Sequence, residues 1–233
     1  MLELEHVGLA YGSRTVLNAV NLTVAPGERY GLLGSSGAGK SSLLRLAAGI
    51  TAPTSGRCSN HYRYPVLLFQ EPRLLPWRRV RENVEIPLLA AGLSRKEARE
   101  RCLYWLKEVD LSRSAEAWPG ELSGGMAQRA ALARAFALEP DLLLLDEPFS
   151  ALDPALRAAL AALCTAYVRE KGAALICSSH HPHELVQMVD HCLLIENGAL
   201  HRYDIPLNAT TTRRADVACR LHERLLDQEP QPS

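Results

Sequence analysis

One stretch restricts what this chain can become more than any other. It is Gly34-Ser35-Ser36-Gly37-Ala38-Gly39-Lys40-Ser41-Ser42, which fits the pattern G-x-x-x-x-G-K-[ST]. A short apolar run, Tyr30 to Leu33, precedes it, and Leu43, Leu44, Leu46 and Ala47 follow at helical spacing, so the order is strand, glycine loop, helix. Glycines allow successive backbone N–H groups to turn inward around phosphate oxygens, and the helix that follows presents its positive end. Lys40 supplies a cation for terminal phosphates, and the Ser41 hydroxyl is a ligand for Mg²⁺. A glycine turn with an incidental lysine is the bland alternative, and the position between strand and helix argues against it. The cradle alone leaves a kinase, a GTPase, a helicase and a transporter ATPase open.

Two further stretches narrow the choice. Leu142 to Leu145 is a buried-type strand that ends in Asp146-Glu147, and open α/β sheets bind ligands at the carboxyl ends of their strands. Asp146 suits the Mg²⁺ shell and Glu147 suits polarising a water, because phosphoryl transfer depends on positioning and electrostatics. Upstream, Leu122-Ser123-Gly124-Gly125-Met126 places a serine and two glycines at the mouth of a helix, a second anion-binding start. One nucleotide needs one cradle, so a second suggests a site completed by another subunit. An ordinary N-cap without ligand is the usual meaning of Ser-Gly-Gly, and that reading stays open on these residues alone.

Around these motifs, Leu2, Leu4 and Val7 alternate with polar residues and Val16 to Val24 resumes after Tyr11-Gly12-Ser13, which predicts a strand hairpin. Val66 to Phe69 and Ala174 to Cys177 are further apolar strands, and the alanine-rich segments 126–138 and 155–170 read as crossover helices. Arg95 to Val109 is an amphipathic helix with Ala98, Cys102, Leu106 and Val109 on one stripe, within a helical region of about 72–120. Beyond Asn197-Gly198 come a short strand-like piece, a helix over Arg213 to Leu226, and a Pro/Gln tail expected to be disordered. Strands alternating with helices imply an α/β fold with a mostly parallel sheet.

Charge and composition exclude several alternatives. Lys+Arg and Asp+Glu are both 26, so no basic excess supports a nucleic-acid partner. The start, Met1-Leu2-Glu3-Leu4-Glu5-His6, lacks a basic then apolar leader. No apolar stretch reaches the roughly 20 residues of a membrane span. Cys58, Cys102, Cys164, Cys177, Cys192 and Cys219 are scattered without C-x-x-C spacing, which reads as a reducing cytoplasm and no metal site. The run His180-His181-Pro182-His183 lacks a Cys or carboxylate partner at a recognisable spacing.

The whole chain, over roughly 2–205, resembles the ATP-binding subunits of ABC transporters, and the resemblance rests on several motifs in order. Residues 34–42 look like Walker A, Leu122 to Met126 like the family signature, Leu142 to Glu147 like Walker B and Ser150-Ala151-Leu152-Asp153 like the D-loop. Tyr11 matches the aromatic residue that stacks on adenine. Gln70 in Leu68-Phe69-Gln70-Glu71-Pro72 matches the Q-loop glutamine near Mg²⁺ and the attacking water, and His180 matches the switch histidine at the γ-phosphate. Met126 and His181 depart from the commoner Gln and Asp, the second altering the charge beside the switch.

The resemblance implies a P-loop core with an N-terminal antiparallel part and an inserted helical subdomain at about 72–130, all within one nucleotide-binding domain spanning 1–233. It implies ATP and Mg²⁺, with Ser41, Asp146 and Gln70 around the metal, and Tyr11, residues 34–42, Ser123, Gly124, Gly125 and Asp153 around the nucleotide. Glu147, Gln70 and His180 carry the catalytic expectation. A homodimer sandwiching two nucleotides, transmembrane permease subunits and, indirectly, a solute-binding protein are the implied partners, on the cytoplasmic face of the cell membrane. The segment Gln70 to Trp77 and the short span from Lys40 to Gln70 are similar to the importers of nitrate, sulfonates and taurine. The chain also ends soon after Asn197-Gly198, so the regulatory domain that some sugar importers append is not expected. Rival readings are a soluble ABC ATPase of repair or translation, which should carry a coiled-coil insertion or a tandem ATPase, a phosphate-loop kinase, a non-hydrolysing module, or a different cargo.

Overall fold

The computed structural model describes residues 1–150, 152–206 and 209–227. Along the chain stand β1 (Leu2–Tyr11), β2 (Arg14–Val24), β3 (Arg29–Leu33), α1 (Lys40–Ala47), β4 (Ser55–Asn60) and β5 (Pro65–Leu68). Then follow α2 (Val80–Ala90), α3 (Arg95–Glu108), α4 (Gly124–Ala137), β6 (Leu142–Leu145), α5 (Pro154–Lys171), β7 (Ala174–Ser178), α6 (Pro182–Met188), β8 (His191–Glu196), β9 (Ala199–Asp204) and α7 (Thr211–Leu226). The expected tail over 227–233 falls, beyond Asp227, outside the described residues.

The chain divides into two compact units. The first comprises Met1–Leu67, Asp141–Glu147 and Cys164–Ser233, and the second Leu68–Pro140 and Pro148–Leu163.

In the first unit, β1 and β2 form the antiparallel hairpin that alternation predicts, with Leu2 opposite Val24 and Tyr11 opposite Arg14. β4 adds to the other side of β1, although its sequence Ser-Gly-Arg-Cys-Ser-Asn has no apolar alternation. The six-stranded sheet runs β5-β6-β7-β3-β8-β9. β6, β7, β3 and β8 are parallel neighbours and β9 returns antiparallel to β8. All residues of β6 and β7 are buried, the near-continuous apolar pattern of strands covered on both faces. Parallel pairing brings the carboxyl ends of β3, β6 and β7 to one edge. The core gathers Leu2, Leu17 and Val24 from the hairpin with Leu43, Leu44, Leu144, Ile176 and Leu193.

A polar network closes the far end of β3. The Tyr30 hydroxyl donates to Thr23 O and contacts Glu28 Oε2, both at 3.3 Å, and accepts from Arg202 Nη1 at 3.1 Å. Arg29 and Asp190 form a bidentate pair at 2.6 and 2.8 Å. Arg214 of α7 donates to Val186 O and Val189 O, which fastens α7 to α6. Of the six cysteines, Cys102, Cys164, Cys177 and Cys192 are buried, Cys58 is half-buried and Cys219, on α7, is exposed.

The second unit is helical. Val80, Val84 and Leu88 of α2, Ala98, Cys102 and Leu106 of α3, and Ala130, Ala133 and Phe136 of α4 are buried, with the Trp105 and Phe136 rings 5.0 Å apart. Ser94 caps α3 through a reciprocal pair with Glu97. Asn83, 1% exposed, organises the approach to α2. It accepts from Leu75 N–H and donates to the carbonyls of Leu75, Arg78 and Arg79. Among the described residues, no helix is long and apolar enough to cross a membrane.

Candidate functional site

The phosphate loop leaves β3 and enters α1 through Gly39, whose φ is +111°. A Cβ there would come within 2.7 Å of Val16 Cγ1, so only glycine brings the loop this close to β2. No side chain caps α1, and the first N–H groups of a helix have no acceptor within it. Ser41 and Ser42 are half-buried, Ser36 and Gly37 exposed.

Lys40 is only 5% exposed. Its Nζ donates to Gly34 O at 2.9 Å and to Ser35 O at 3.2 Å. It also stands 3.7 Å from Glu147 Oε1 and 3.5 Å from His180 Nε2. Burial pushes the Lys40 ammonium below its ordinary pKa, and the Glu147 and Asp146 carboxylates oppose that shift.

Asp146 and Glu147 come off the end of β6, and β7, their neighbour, supplies Ser178. The Ser178 hydroxyl, fully buried, donates to Asp146 Oδ1 at 3.0 Å and accepts from Glu147 N–H at 2.9 Å. Glu147 has a φ of +47°, an uncommon conformation for a residue with a Cβ. That turn directs its carboxylate to His180, with Oε1 2.7 Å from Nε2. His180 follows β7 and is 44% exposed at its side chain, so the cluster is buried at Lys40 and Asp146 and open at the histidine. Lys40, Asp146, Glu147 and His180, four expected residues from three separate stretches, therefore form one connected group. Ser178, which sequence reasoning had assigned no role, ties two of them together. Its signal was its place beside His180 at a strand end.

Tyr11 closes β1 with its ring half exposed. In the second unit, Gln70 is exposed. Ser123 caps α4, accepting from Met126 N–H at 3.3 Å, with Gly124 and Gly125 as the first helical residues. Asp153 Oδ1 accepts from Leu156 N–H at 3.0 Å at the start of α5. Gln128, five residues beyond that cap, donates to Pro148 O at 2.6 Å.

The residues of the first unit suit a nucleoside triphosphate with Mg²⁺. The glycine cradle and the buried ammonium match phosphates, and the Ser41 hydroxyl and Asp146 carboxylate are the hard oxygen donors that Mg²⁺ takes. No group of three or more His, Cys, Asp or Glu side chains that could hold a metal ion by themselves occurs among the described residues.

The family model for ABC transporters matches residues 17–150. The chain belongs to the ABC transporter family. This ABC chain is 44% identical over 191 residues to the aliphatic sulfonates import ATP-binding protein SsuB of Corynebacterium glutamicum, an alignment covering 82% of this chain and 78% of that one. It is 41% identical over 203 residues to the SsuB of Granulibacter bethesdensis, covering 86% and 82%. Among solved structures, it is similar to the dimeric ATP-binding cassette MJ0796 in a post-hydrolysis state with ADP and Pi. The TM-score there is 0.80 at 29% identity, covering 88% of this chain and 98% of that chain. An ATP-binding subunit of an ABC transporter gives a TM-score of 0.82 at 27% identity, covering 97% and 99%. The α/β cassette expected from the sequence is therefore the fold, and this ABC chain binds and hydrolyses ATP.

Proposed function

We propose that this chain is the ATP-hydrolysing subunit of an ABC importer for aliphatic sulfonates or closely related small oxyanions, working as a homodimer against permease subunits at the inner face of the membrane. The observation that carries the ATPase site is the connected group Lys40, Glu147 and His180 beside the phosphate loop. The cargo reading is supported by the SsuB relatives and by nothing in the site itself, since a nucleotide site does not touch cargo.

In this reading, Tyr11 and residues 34–42 hold the nucleotide of one protomer, and Ser123, Gly124, Gly125 and Asp153 of the other complete the site. Ser41 and Asp146, with Gln70 as the resemblance implies, would hold Mg²⁺, which would supply charge neutralisation at the phosphates when bound. Lys40 neutralises terminal phosphate oxygens. The Glu147 carboxylate orients and deprotonates the attacking water. His180, hydrogen-bonded to Glu147, holds that carboxylate in place and stands ready to donate to the oxygen on which charge grows. The helix starts at α1 and α4 then share one phosphate chain between protomers, so that hydrolysis loosens the pair.

The test is Glu147→Gln, followed by light scattering with and without Mg·ATP and by the steady-state ATPase rate. The expected result is a doubling of mass with ATP and a fall in turnover of about 100-fold or more. A variant that stays monomeric and hydrolyses at the wild-type rate sinks the proposed mechanism. Uptake of a labelled alkanesulfonate by the complex with its permease tests the cargo separately.

A further inference from the structure

For the amides of a phosphate loop to face an anion, its carbonyls must find partners elsewhere. Here three of them are held by cations. Gly34 O and Ser35 O accept from Lys40, and Ser35 O also accepts from Ala38 N–H at 3.2 Å. The third, Gly37 O at the tip of the loop, accepts from Nη2 of Arg14 at 3.2 Å.

Arg14 reaches that carbonyl because of the hairpin. It is the first residue of β2 and the register partner of Tyr11, the last residue of β1. The tight turn that presents the aromatic ring therefore also sets the origin of the guanidinium. Gly37 has a φ of +74°, and a Cβ there would lie 3.4 Å from Arg14 Nη2. The guanidinium thus lies directly over the tip of the loop. Arg14 and Gly37 also line, with Ser35 and Ser36, a pocket of about 520 Å³. Among the described residues, Arg14 forms no direct ion pair with a carboxylate, although Glu196 and Asp227 also line this pocket, so its guanidinium stands beside the anion cradle bonded to the Gly37 carbonyl rather than neutralised by contact.

We propose that Arg14 is a positioning residue for the phosphates of the nucleotide, gripping the Gly37 carbonyl so that the tip of the loop keeps its amides inward. This rests on the reading of the phosphate loop as the ATP site. The guanidinium does two things there. It satisfies an outward carbonyl that would otherwise be free to rotate, and it adds a fixed positive charge next to the cradle. Its effect should therefore scale with the phosphates of the ligand and leave the nucleoside nearly untouched.

The experiment compares the full-length wild type, Arg14→Ala and Arg14→Lys by titration calorimetry with ADP and adenosine, alongside thermal midpoints without ligand. Arg14→Ala should weaken ADP by about five- to tenfold, the size of one lost solvent-exposed hydrogen bond of ordinary net strength, and adenosine by less than about twofold. Arg14→Lys should recover most of the loss, because an ammonium still reaches one carbonyl. Equal ADP affinity in all three proteins overturns the proposal, as does an equal loss for ADP and adenosine. A lower thermal midpoint with unchanged ADP binding marks Arg14 as a surface brace and overturns it too. If the wild type itself binds no ADP, the assignment of the ATP site fails first and the role of Arg14 falls with it.

Discussion

His180 Nε2 stands 2.7 Å from Glu147 Oε1, and the same carboxylate oxygen lies 3.7 Å from Lys40 Nζ. One carboxylate is thus shared between a fixed cation and a half-exposed imidazole, which separates a buried charge from a movable partner. On the proposed mechanism, His180→Ala should lower the ATPase rate by about 100-fold, because it removes the imidazole bonded to the Glu147 carboxylate. Phosphate release in the steady state measures it. An unchanged rate would show that Glu147 is oriented without the imidazole.

Ser178 is the hidden link. Its hydroxyl serves Asp146 and the Glu147 amide together, so Ser178→Ala leaves two buried polar groups short of a partner. The expected cost is about 1–3 kcal/mol in unfolding free energy, with an ATPase rate reduced about ten- to a hundredfold through misplaced carboxylates. Urea unfolding and steady-state kinetics on the same preparation read both. A rate loss without any stability loss would place the serine outside the packing role described here.

The backbone at Glu147 offers a cleaner separation of strain from chemistry. At a φ of +47°, glycine relaxes where alanine does not, so Glu147→Gly should be more stable than Glu147→Ala by about 1 kcal/mol. Both should hydrolyse ATP poorly. Chemical denaturation of the pair decides it, and a more stable alanine variant would contradict the strain.

Asn83 holds the segment before α2 through four hydrogen bonds while itself buried. Asn83→Leu keeps the branched outline of the side chain, in a somewhat larger volume, and removes every one of them. The second unit should lose about 2–3 kcal/mol, seen as earlier unfolding and faster proteolysis between residues 72 and 80. Wild-type resistance to protease would refute it.

Alkali tests the network at the end of β3. Burial, and then the neighbouring Glu28 carboxylate, push the Tyr30 phenol up to about 12 from an ordinary value near 10. The folded state therefore keeps a proton that the unfolded chain gives up between those two values. Stability from this group is complete below about pH 10 and is lost as pH rises toward 12. Urea midpoints from pH 9 upward should fall in the wild type. They should fall less steeply in Tyr30→Phe, which cannot ionise, and parallel slopes would rule Tyr30 out as the source.

Much of this could be read before any coordinates. The loop after β3 and the acid pair after β6 stand at strand ends because apolar runs stop abruptly at charges or glycines, and that contrast is visible in a string of letters. The amphipathic stripe Ala98, Cys102, Leu106 and Val109 became α3, one residue shorter than expected. β4 was invisible for a physical reason. Its residues are polar, and its strand character comes from pairing with β1, a long-range hydrogen-bonding fact that alternation does not record. α6, of seven residues, is too short to show a period. α2 carries Pro87 in its interior, a residue that ordinarily argues for a break. The contact of Arg14 with Gly37 and the bridge through Ser178 join residues 23 and more positions apart, and only folding brings such pairs together.

The distribution of the cysteines has a practical side. Burial raises the Cys102, Cys177 and Cys192 thiols to about 12 and pushes those of Cys164 and Cys58 upward as well, so at neutral pH they are poor nucleophiles. Cys219 alone faces solvent. The native chain therefore comes with one chemical handle, on the helix clamped by Arg214 to the segment that follows His180. A maleimide dye or a spin probe attached there would report on that segment during turnover, without first engineering out a single thiol.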